Sequence, residues 1–488
     1  MNATAALISW PEDAFADWPL ALWTSDELAE AMCGEASGPF QVSGVEIDSR
    51  DVVEGDLFFA LKGEAMDGHR FLESAFANGA TAAVVDRKIA GNHILVENTA
   101  VALEHLAAAA RARLCAASMV VGVTGSVGKT SVKEALFAAL DRASHGRAHR
   151  SLKSYNNHVG VPLSLSRTPA GTQFGVYEMG MNHAGEIDAL TKQVRPHVAI
   201  ITSIAPAHIE NLGSEEAIAD AKAEIFRGLE QGGVAIIPAD SPHFARLRAA
   251  ALLVRAEVVS FGRSDHADVR LLDAVPAPGG GSLVTIDMGD RRLCYTVAAP
   301  GEHWVSNSLA IMAAVRAAGS DLGAAGLALG ELSGMKGRGE RHVLATPDGG
   351  TALLIDESYN ANPASMAATL AQLGATAATR RIAVLGAMKE LGEHGPFFHA
   401  ELAAPLAAAG VTDAILVGDE MGALADELGK SESAALGKGI SFAHCRDTAE
   451  AIAALAELGL ASGDAILVKG SNSVGLGKLV GAIVDQQG

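Results

Sequence analysis

The sequence predicts an α/β protein built from three domains, and three observations carry that prediction. The chain has 488 residues, which suits roughly three cores at about 100–200 residues per domain. An apolar strand pattern at 120–124 runs into a glycine-bracketed turn, and an amphipathic helix pattern follows at 132–140. The last third alternates short apolar runs with Ala-rich helical stretches, the pattern of a parallel sheet covered by helices.

Residues 1–115 carry strand patterns at 44–48, 56–61, 82–86 and 93–96 and helical patterns at 71–78 and 99–114. This reads as a small N-terminal α/β domain. Residues 116–333 add strands at 175–179, 198–203 and 233–238 around the glycine turn, giving a central, mostly parallel sheet. Its later part, 268–299, reads as antiparallel, with turns at Gly279-Gly280-Gly281 and Gly289-Asp290. Residues 334–488 place strands at 352–356, 381–386, 414–418 and 465–469, a doubly wound, Rossmann-like sheet. Such sheets bind ligands at the carboxyl ends of their strands, where Asp356-Glu357-Ser358 and Lys469-Gly470-Ser471 fall.

Bulk composition narrows the function classes. A formal net charge of −20 disfavours contact with a phosphate backbone, so nucleic-acid partners are not expected. Cys33, Cys115, Cys294 and Cys445 are widely spaced, which suits a reducing compartment and suggests neither zinc nor disulfides. Glu12, Asp13 and Asp17 interrupt the N-terminal segment, and no apolar run reaches membrane-spanning length. A soluble, cytoplasmic protein is expected, working as a monomer on small molecules.

The chemistry starts in the turn. Gly125-Ser126-Val127-Gly128-Lys129-Thr130-Ser131 sits between strand and helix, the context a phosphate-binding loop needs. Its backbone N–H groups and the helix N-terminus suit a polyphosphate. Lys129 is placed for the β- and γ-phosphates and Thr130 for Mg²⁺. The strict spacing asks for glycine at position 123, which is valine, so the loop is a variant.

Four further clusters are polar where the surroundings are apolar. Asn156-Asn157 precedes Gly160-Val161-Pro162 and, read alone, suits Asx-turn chemistry. Glu178 ends an apolar strand downstream of the loop, where a nucleotide enzyme needs a carboxylate for Mg²⁺. His208 follows another strand end. Lys222, on an amphipathic helix, reads by itself as a solvated lysine. Asp356 through Pro363 turns from strand to helix with many donors; Asp356 suits either a ribose hydroxyl or a helix cap.

In order and across essentially the whole chain, these segments resemble the ATP-dependent Mur ligases of bacterial cell-wall synthesis. Asp48-Ser49-Arg50, the 55–64 segment and Asp67-Gly68-His69 add to the resemblance. It points to the branch that adds a D-alanyl-D-alanine dipeptide. The implied reaction joins that dipeptide to UDP-N-acetylmuramoyl-tripeptide through an acyl phosphate, with ATP and two Mg²⁺ ions. The N-terminal domain is then the UDP-substrate domain, the central one binds ATP, and the C-terminal one receives the dipeptide and closes on ATP.

The same resemblance implies roles for matched residues. The 125–131 loop, Asn156, His303, Asn307, Arg338 and Asp356 meet ATP. Thr130, Glu178, His208 and Lys222 hold metal, with Lys222 N6-carboxylated, which reverses its reading as a solvated lysine. Ser49, Arg50, Lys62, His69, Asn157, Tyr359, Asn360, Asn362 and Lys469 meet the other substrates. Lys129, Glu178, His208 and Lys222 form the catalytic set.

Two departures stand out. Trp304 replaces the Asn usual after His303, and Asn472 stands where many relatives carry Arg, so those contacts do not carry over. A sister ligase adding one amino acid, or a folylpolyglutamate synthetase-like ligase, shares the loop and metal residues. The Tyr359-Asn360-Ala361-Asn362-Pro363 segment favours the dipeptide branch. A GTPase-like switch lacks support, because no Asn-Lys-x-Asp guanine-reading segment occurs.

Overall fold

The computed structural model describes residues 21–63, 66–207, 209–277, 280–332, 334–434 and 439–485. Glu12, Asp13, Asp17, Glu64, His208 and Gly279 therefore lie outside the described residues.

A nine-stranded sheet forms the centre. Met119–Thr124 lies between Phe174–Glu178 and Val198–Ile201, all parallel. Period-two alternation in Met119–Thr124 buries its side chains on both faces. Val121 and Val123 pack with Val132, Leu136 and Leu140 of the helix Lys129–Ser144 and with Leu309 and Ile311 of Glu302–Ala317. Val120 faces the other side, among Tyr177, Ile187, Leu190 and Ile218. Parallel pairing continues through Val234–Pro238 and Glu257–Gly262 to Val269–Pro276. Ser282–Asp287 and Arg292–Val297 then add antiparallel strands, as the 268–299 pattern predicts.

The first domain holds a sheet of five strands, four of them at the predicted places. Its helix Thr99–Ala112 packs toward the central domain: Leu163 joins the core that holds Leu103 and Leu106, and Trp23 Nε1 donates to the Ser166 carbonyl at 2.8 Å.

The third domain is a six-stranded sheet. Thr351–Glu357, Asp464–Lys469, Arg380–Gly386 and Asp413–Val417 are parallel, as predicted. The two outer strands, Glu340–Ala345 and Ser441–Cys445, are not among the predicted ones. Each is half-covered and mixed in composition, the usual character of an edge strand. Leu354 and Ile355 bury into opposite cores of this domain. That parity decides where Asp356 and Glu357 point.

Candidate active site

The glycine turn has the geometry of a phosphate cradle. Gly125 (φ 149°) and Gly128 (φ 90°) adopt backbone that L side chains rarely tolerate. A Cβ on Gly128 would also meet Asn307 Oδ1 at 2.8 Å. The loop is pinned to the neighbouring strand end. Ser126 Oγ donates to the Ala205 carbonyl at 2.9 Å, and Val127 N–H donates to Ser203 Oγ at 3.0 Å. Such pinning preorganises the donors before a ligand arrives. Lys129 Nζ folds back to donate to the Gly125 carbonyl at 2.7 Å. Burial pulls the Lys129 amine below its usual range, while the charge of Glu178 partly restores it.

A buried hydrogen-bond chain surrounds the start of the helix. Glu178 is 1 % exposed. Its Oε2 accepts from Thr130 Oγ1 at 2.8 Å, and its Oε1 accepts from Asn156 Nδ2 at 2.8 Å. Thr130 Oγ1 also lies 3.2 Å from Ser154 Oγ, which accepts from Arg338 Nη2 at 3.2 Å. Arg338, stacked 4.2 Å from the Tyr359 ring, thereby joins the third domain to the loop. The hydroxyl and carboxylate of Thr130 and Glu178 are hard oxygen donors held side by side, which fits Mg²⁺.

A cavity of about 280 Å³ opens beside this chain. Ser126, Val127, Gly128, Lys129, Thr130, Ser131, Asn156, His303, Asn307 and Arg338 line it, so most of the expected nucleotide residues come together; Tyr359, Asn360, Asn362 and Lys469, expected at the other substrates, line it as well. Burial pushes the His303 imidazole down to about 4, with the charge of Lys469 adding to it, so the ring is neutral at pH 7. Trp304, the first departure, is buried yet lines the same cavity. Lys469 Nζ donates to the Asn360 carbonyl at 2.9 Å and sits 3.5 Å from Glu357 Oε2. Desolvation drives both members of that pair toward their neutral forms.

Glu357 lines the nucleotide cavity, whereas Asp356 lines an adjoining one with Thr130, Ser154 and Arg338. Asp356 Oδ2 accepts from Gly337 N–H at 2.9 Å and Oδ1 from Ser358 N–H at 3.0 Å. It shapes the turns that present Arg338 and Tyr359. Strand parity explains this, since 354 and 356 share one face and 355 and 357 the other. Parity is also the signal that would have found Glu357 in the sequence. Ser154 and Thr369 line the cavity too, and nothing in their local pattern marks them.

Lys222 departs from its reading as a solvated lysine: it is 1 % exposed. Burial, with the Lys129 charge next, drives its amine well below the usual range. The described residues supply no acceptor for it. His208 lies outside the described residues.

The remaining expected positions divide. Asn157 Oδ1 accepts from Val159 and Gly160 N–H at 3.2 and 2.9 Å, the Asx-turn role its sequence suggests. Asn362 caps the helix Pro363–Ala375 through Ser365. Ser49, Arg50, Lys62 and His69 belong to the first domain and do not line the nucleotide cavity. Arg50 is exposed and pairs with Asp48 at 2.6 Å. Lys62 is exposed, and Ser49 is buried with its carbonyl accepting from Asn78 Nδ2 at 2.8 Å. His69 is buried between Asp67, 2.6 Å from Nδ1, and Asp86, 3.1 Å from Nε2. Lys153 meets Asp51 at 2.6 Å, tying the first domain to the loop below Ser154.

Comparison with known proteins agrees with this geometry. A family model described as Mur ligase family, catalytic domain, matches residues 41–116; the Mur ligase middle domain matches 123–315; and the Mur ligase glutamate ligase domain matches 338–472. The UDP-N-acetylmuramoyl-tripeptide–D-alanyl-D-alanine ligase of Synechocystis is 36% identical, over 92% of this chain and 93% of its own. The crystal structure of MurF from Acinetobacter baumannii superposes with a TM-score of 0.80 at 31% identity, covering 95% of this chain and 99% of that one. The MurF ligase of Thermotoga maritima, crystallised with ADP, gives a TM-score of 0.72 at 26% identity, covering 91% and 98%.

Proposed function

The chain belongs to the Mur ligase family, and on that premise we propose that it joins D-alanyl-D-alanine to UDP-N-acetylmuramoyl-tripeptide in peptidoglycan precursor synthesis, at the expense of ATP. One observation carries the reading. The nucleotide cavity shares Ser126, Lys129, Asn360 and Asn362 with a second cavity of about 350 Å³. The phosphate end of the site therefore borders a second compartment in which a nucleophile other than water can wait. A simple nucleotide switch has no use for that second room.

The physical logic is that of acyl activation. A carboxylate cannot expel oxide, so the tripeptide carboxylate first attacks the γ-phosphorus and ADP departs. The resulting acyl phosphate has a good leaving group. The dipeptide amine attacks its carbonyl, a tetrahedral intermediate forms, and phosphate leaves. Lys129 and the loop N–H groups hold the phosphates in line and offset their charge. Arg338, reaching Ser154 from the far side, draws the third domain over the site and excludes water from the acyl phosphate. Asn156 and Thr130 keep Glu178 oriented. His303 stays neutral beside the adenine end.

Thr130 and Glu178, with His208 and Lys222, are the residues that would hold Mg²⁺. The metal supplies charge neutralisation for the phosphate oxygens. Lys222 has the properties an N6-carboxylated lysine needs. Burial that lowers the basicity of the Lys222 amine favours the deprotonated form that attacks CO₂; adding CO₂ and releasing one proton converts that donor into an anion with two oxygens. The UDP-sugar end is assigned to the first domain around Ser49, Arg50, Lys62 and His69.

The test is product formation from ATP, UDP-linked tripeptide and D-Ala-D-Ala, set against single amino acids. Phosphate release that needs both tripeptide and dipeptide supports the reading. A product formed equally well with a single amino acid assigns the chain to a sister activity instead.

A further inference from the structure

The second cavity carries both signs of charge. Lys129 and Lys389 line it, and so does Glu390; Ser471 and Asn472 supply neutral polar groups. A zwitterionic dipeptide needs both signs, one for each end. Lys389 currently pairs with Glu420, and both members of that pair are exposed. Such a pair is cheap to exchange for a ligand carboxylate. Glu390 is the acid on this cavity's wall, and the Lys129 amine feels its charge.

Six described non-glycine residues have a positive φ, and of these Glu390 alone lines either of the two cavities. Its φ is 64°, in the left-handed region that non-glycine residues seldom adopt. The strain is held from both sides. Met388 N–H donates to His399 Nε2 at 2.9 Å and Lys389 N–H to Ser471 Oγ at 3.0 Å. On the far side Gly392 packs so closely on Glu210 of the central domain that a Cβ there would meet Cγ at 2.9 Å. The Glu210 N–H approaches the Glu390 carbonyl at 3.5 Å. A glycine would sit here without strain. A glutamate held in strained backbone at a cavity wall is a pattern of functional sites.

We infer that Glu390 is the residue that seats the α-ammonium of the incoming dipeptide and aims that nitrogen at the phosphate end of the nucleotide cavity, with Lys389 facing the dipeptide carboxylate. The inference rests on the D-Ala-D-Ala reading given above. It makes Glu390 a substrate-touching residue of the third domain. Because its loop also touches Glu210, the amine is brought in line only when that loop packs on the central domain.

The test is steady-state kinetics of the full chain and of Glu390→Gln and Glu390→Gly. Loss of one charge-assisted contact is expected to raise the KM for D-Ala-D-Ala by about 10–100-fold, with the KM for ATP within twofold of the parent. Glu390→Gly, released from strain, is expected to melt no lower than the parent. A second probe, D-lactyl-D-alanine, carries a hydroxyl in place of the ammonium. As an inhibitor it is expected to bind parent and Glu390→Gln equally. A dipeptide KM within twofold of the parent overturns the inference. So does a rise in the inhibition constant of the hydroxyl analogue that matches the rise in KM, because Glu390 then shapes the pocket without reading the charge. A parent that ligates no dipeptide at all overturns the functional reading itself, and this inference with it.

Discussion

Replacing Lys222 by methionine separates the two readings of that residue. The substitution keeps the length and apolar stem and removes only the amine. In the structure the residue is 1 % exposed, and its amine carries a depressed basicity and faces no acceptor among the described residues. An unpaired buried polar group costs about 1–3 kcal/mol. In CO₂-depleted, metal-free buffer, Lys222→Met is therefore expected to be more stable than the parent by about that amount, or on the order of 2–10 °C in melting temperature for a domain of this size. Activity is expected to move the other way. Losing an anionic ligand to metal that offsets transition-state charge costs about 10²–10³ in kcat. Calorimetry and initial rates of phosphate release, with both acceptor and dipeptide present, read the two effects. Lys222→Ala leaves room for a small carboxylate, so formate or acetate is expected to restore part of its activity. If Lys222→Met keeps activity within a few-fold of the parent, the carbamate role is wrong. If it is less stable than the parent, the amine has a stabilising partner in the folded protein.

Other expectations follow from the same geometry. Lys129→Ala is expected to fold normally and lose about 10²–10³ in kcat, since its charge acts on phosphate; near-normal turnover counts against the phosphate-loop assignment. Asp356→Ala is expected to lower stability by about 1–3 kcal/mol by orphaning the Gly337 and Ser358 amides. It is expected to leave the preference for ATP over 2′-deoxy-ATP unchanged, and collapse of that preference would return Asp356 to the ribose. Burial holds His149 down to about 4 against an ordinary 6.5. The unfolded chain thus takes up a proton at higher pH than the folded one, and stability is lost as pH falls from about 6.5 toward 4. The contribution is on the order of 1–3 kcal/mol, read from urea midpoints, and His149→Gln is expected to flatten that part of the profile.

Much of the site was legible because its residues cluster in sequence. The loop from Gly125 to Ser131 needs only local information, a strand end, two glycines and a helix start. Buried parallel strands such as Met119–Thr124 announce themselves as apolar runs, and the doubly wound order follows from their alternation with helices. What stayed hidden depends on the third dimension. Lys222 lies on a helix whose pattern suits a solvated face, yet the packing around it leaves 1 % exposed. The Arg338–Ser154–Thr130 chain joins residues distant in sequence and has no local trace. Asp356 and Glu357 both suited a ligand at a strand end. Counting parity from Leu354 separates them, because only one of two successive residues can face the nucleotide cavity. Edge strands such as Glu340–Ala345 escaped because half of each faces outward.

In the proposed reaction, two cavities that share Lys129 couple ATP cleavage to peptide-bond formation with a dipeptide. The most direct measurement is mass analysis of the product formed from UDP-N-acetylmuramoyl-tripeptide, D-Ala-D-Ala and ATP, run with a phosphate assay in the same tube. One D-Ala-D-Ala is expected to be added per phosphate released, with almost no phosphate when either the tripeptide or the dipeptide is withheld. Phosphate release that is indifferent to the dipeptide, or a product carrying a single amino acid in preference to D-Ala-D-Ala, contradicts it.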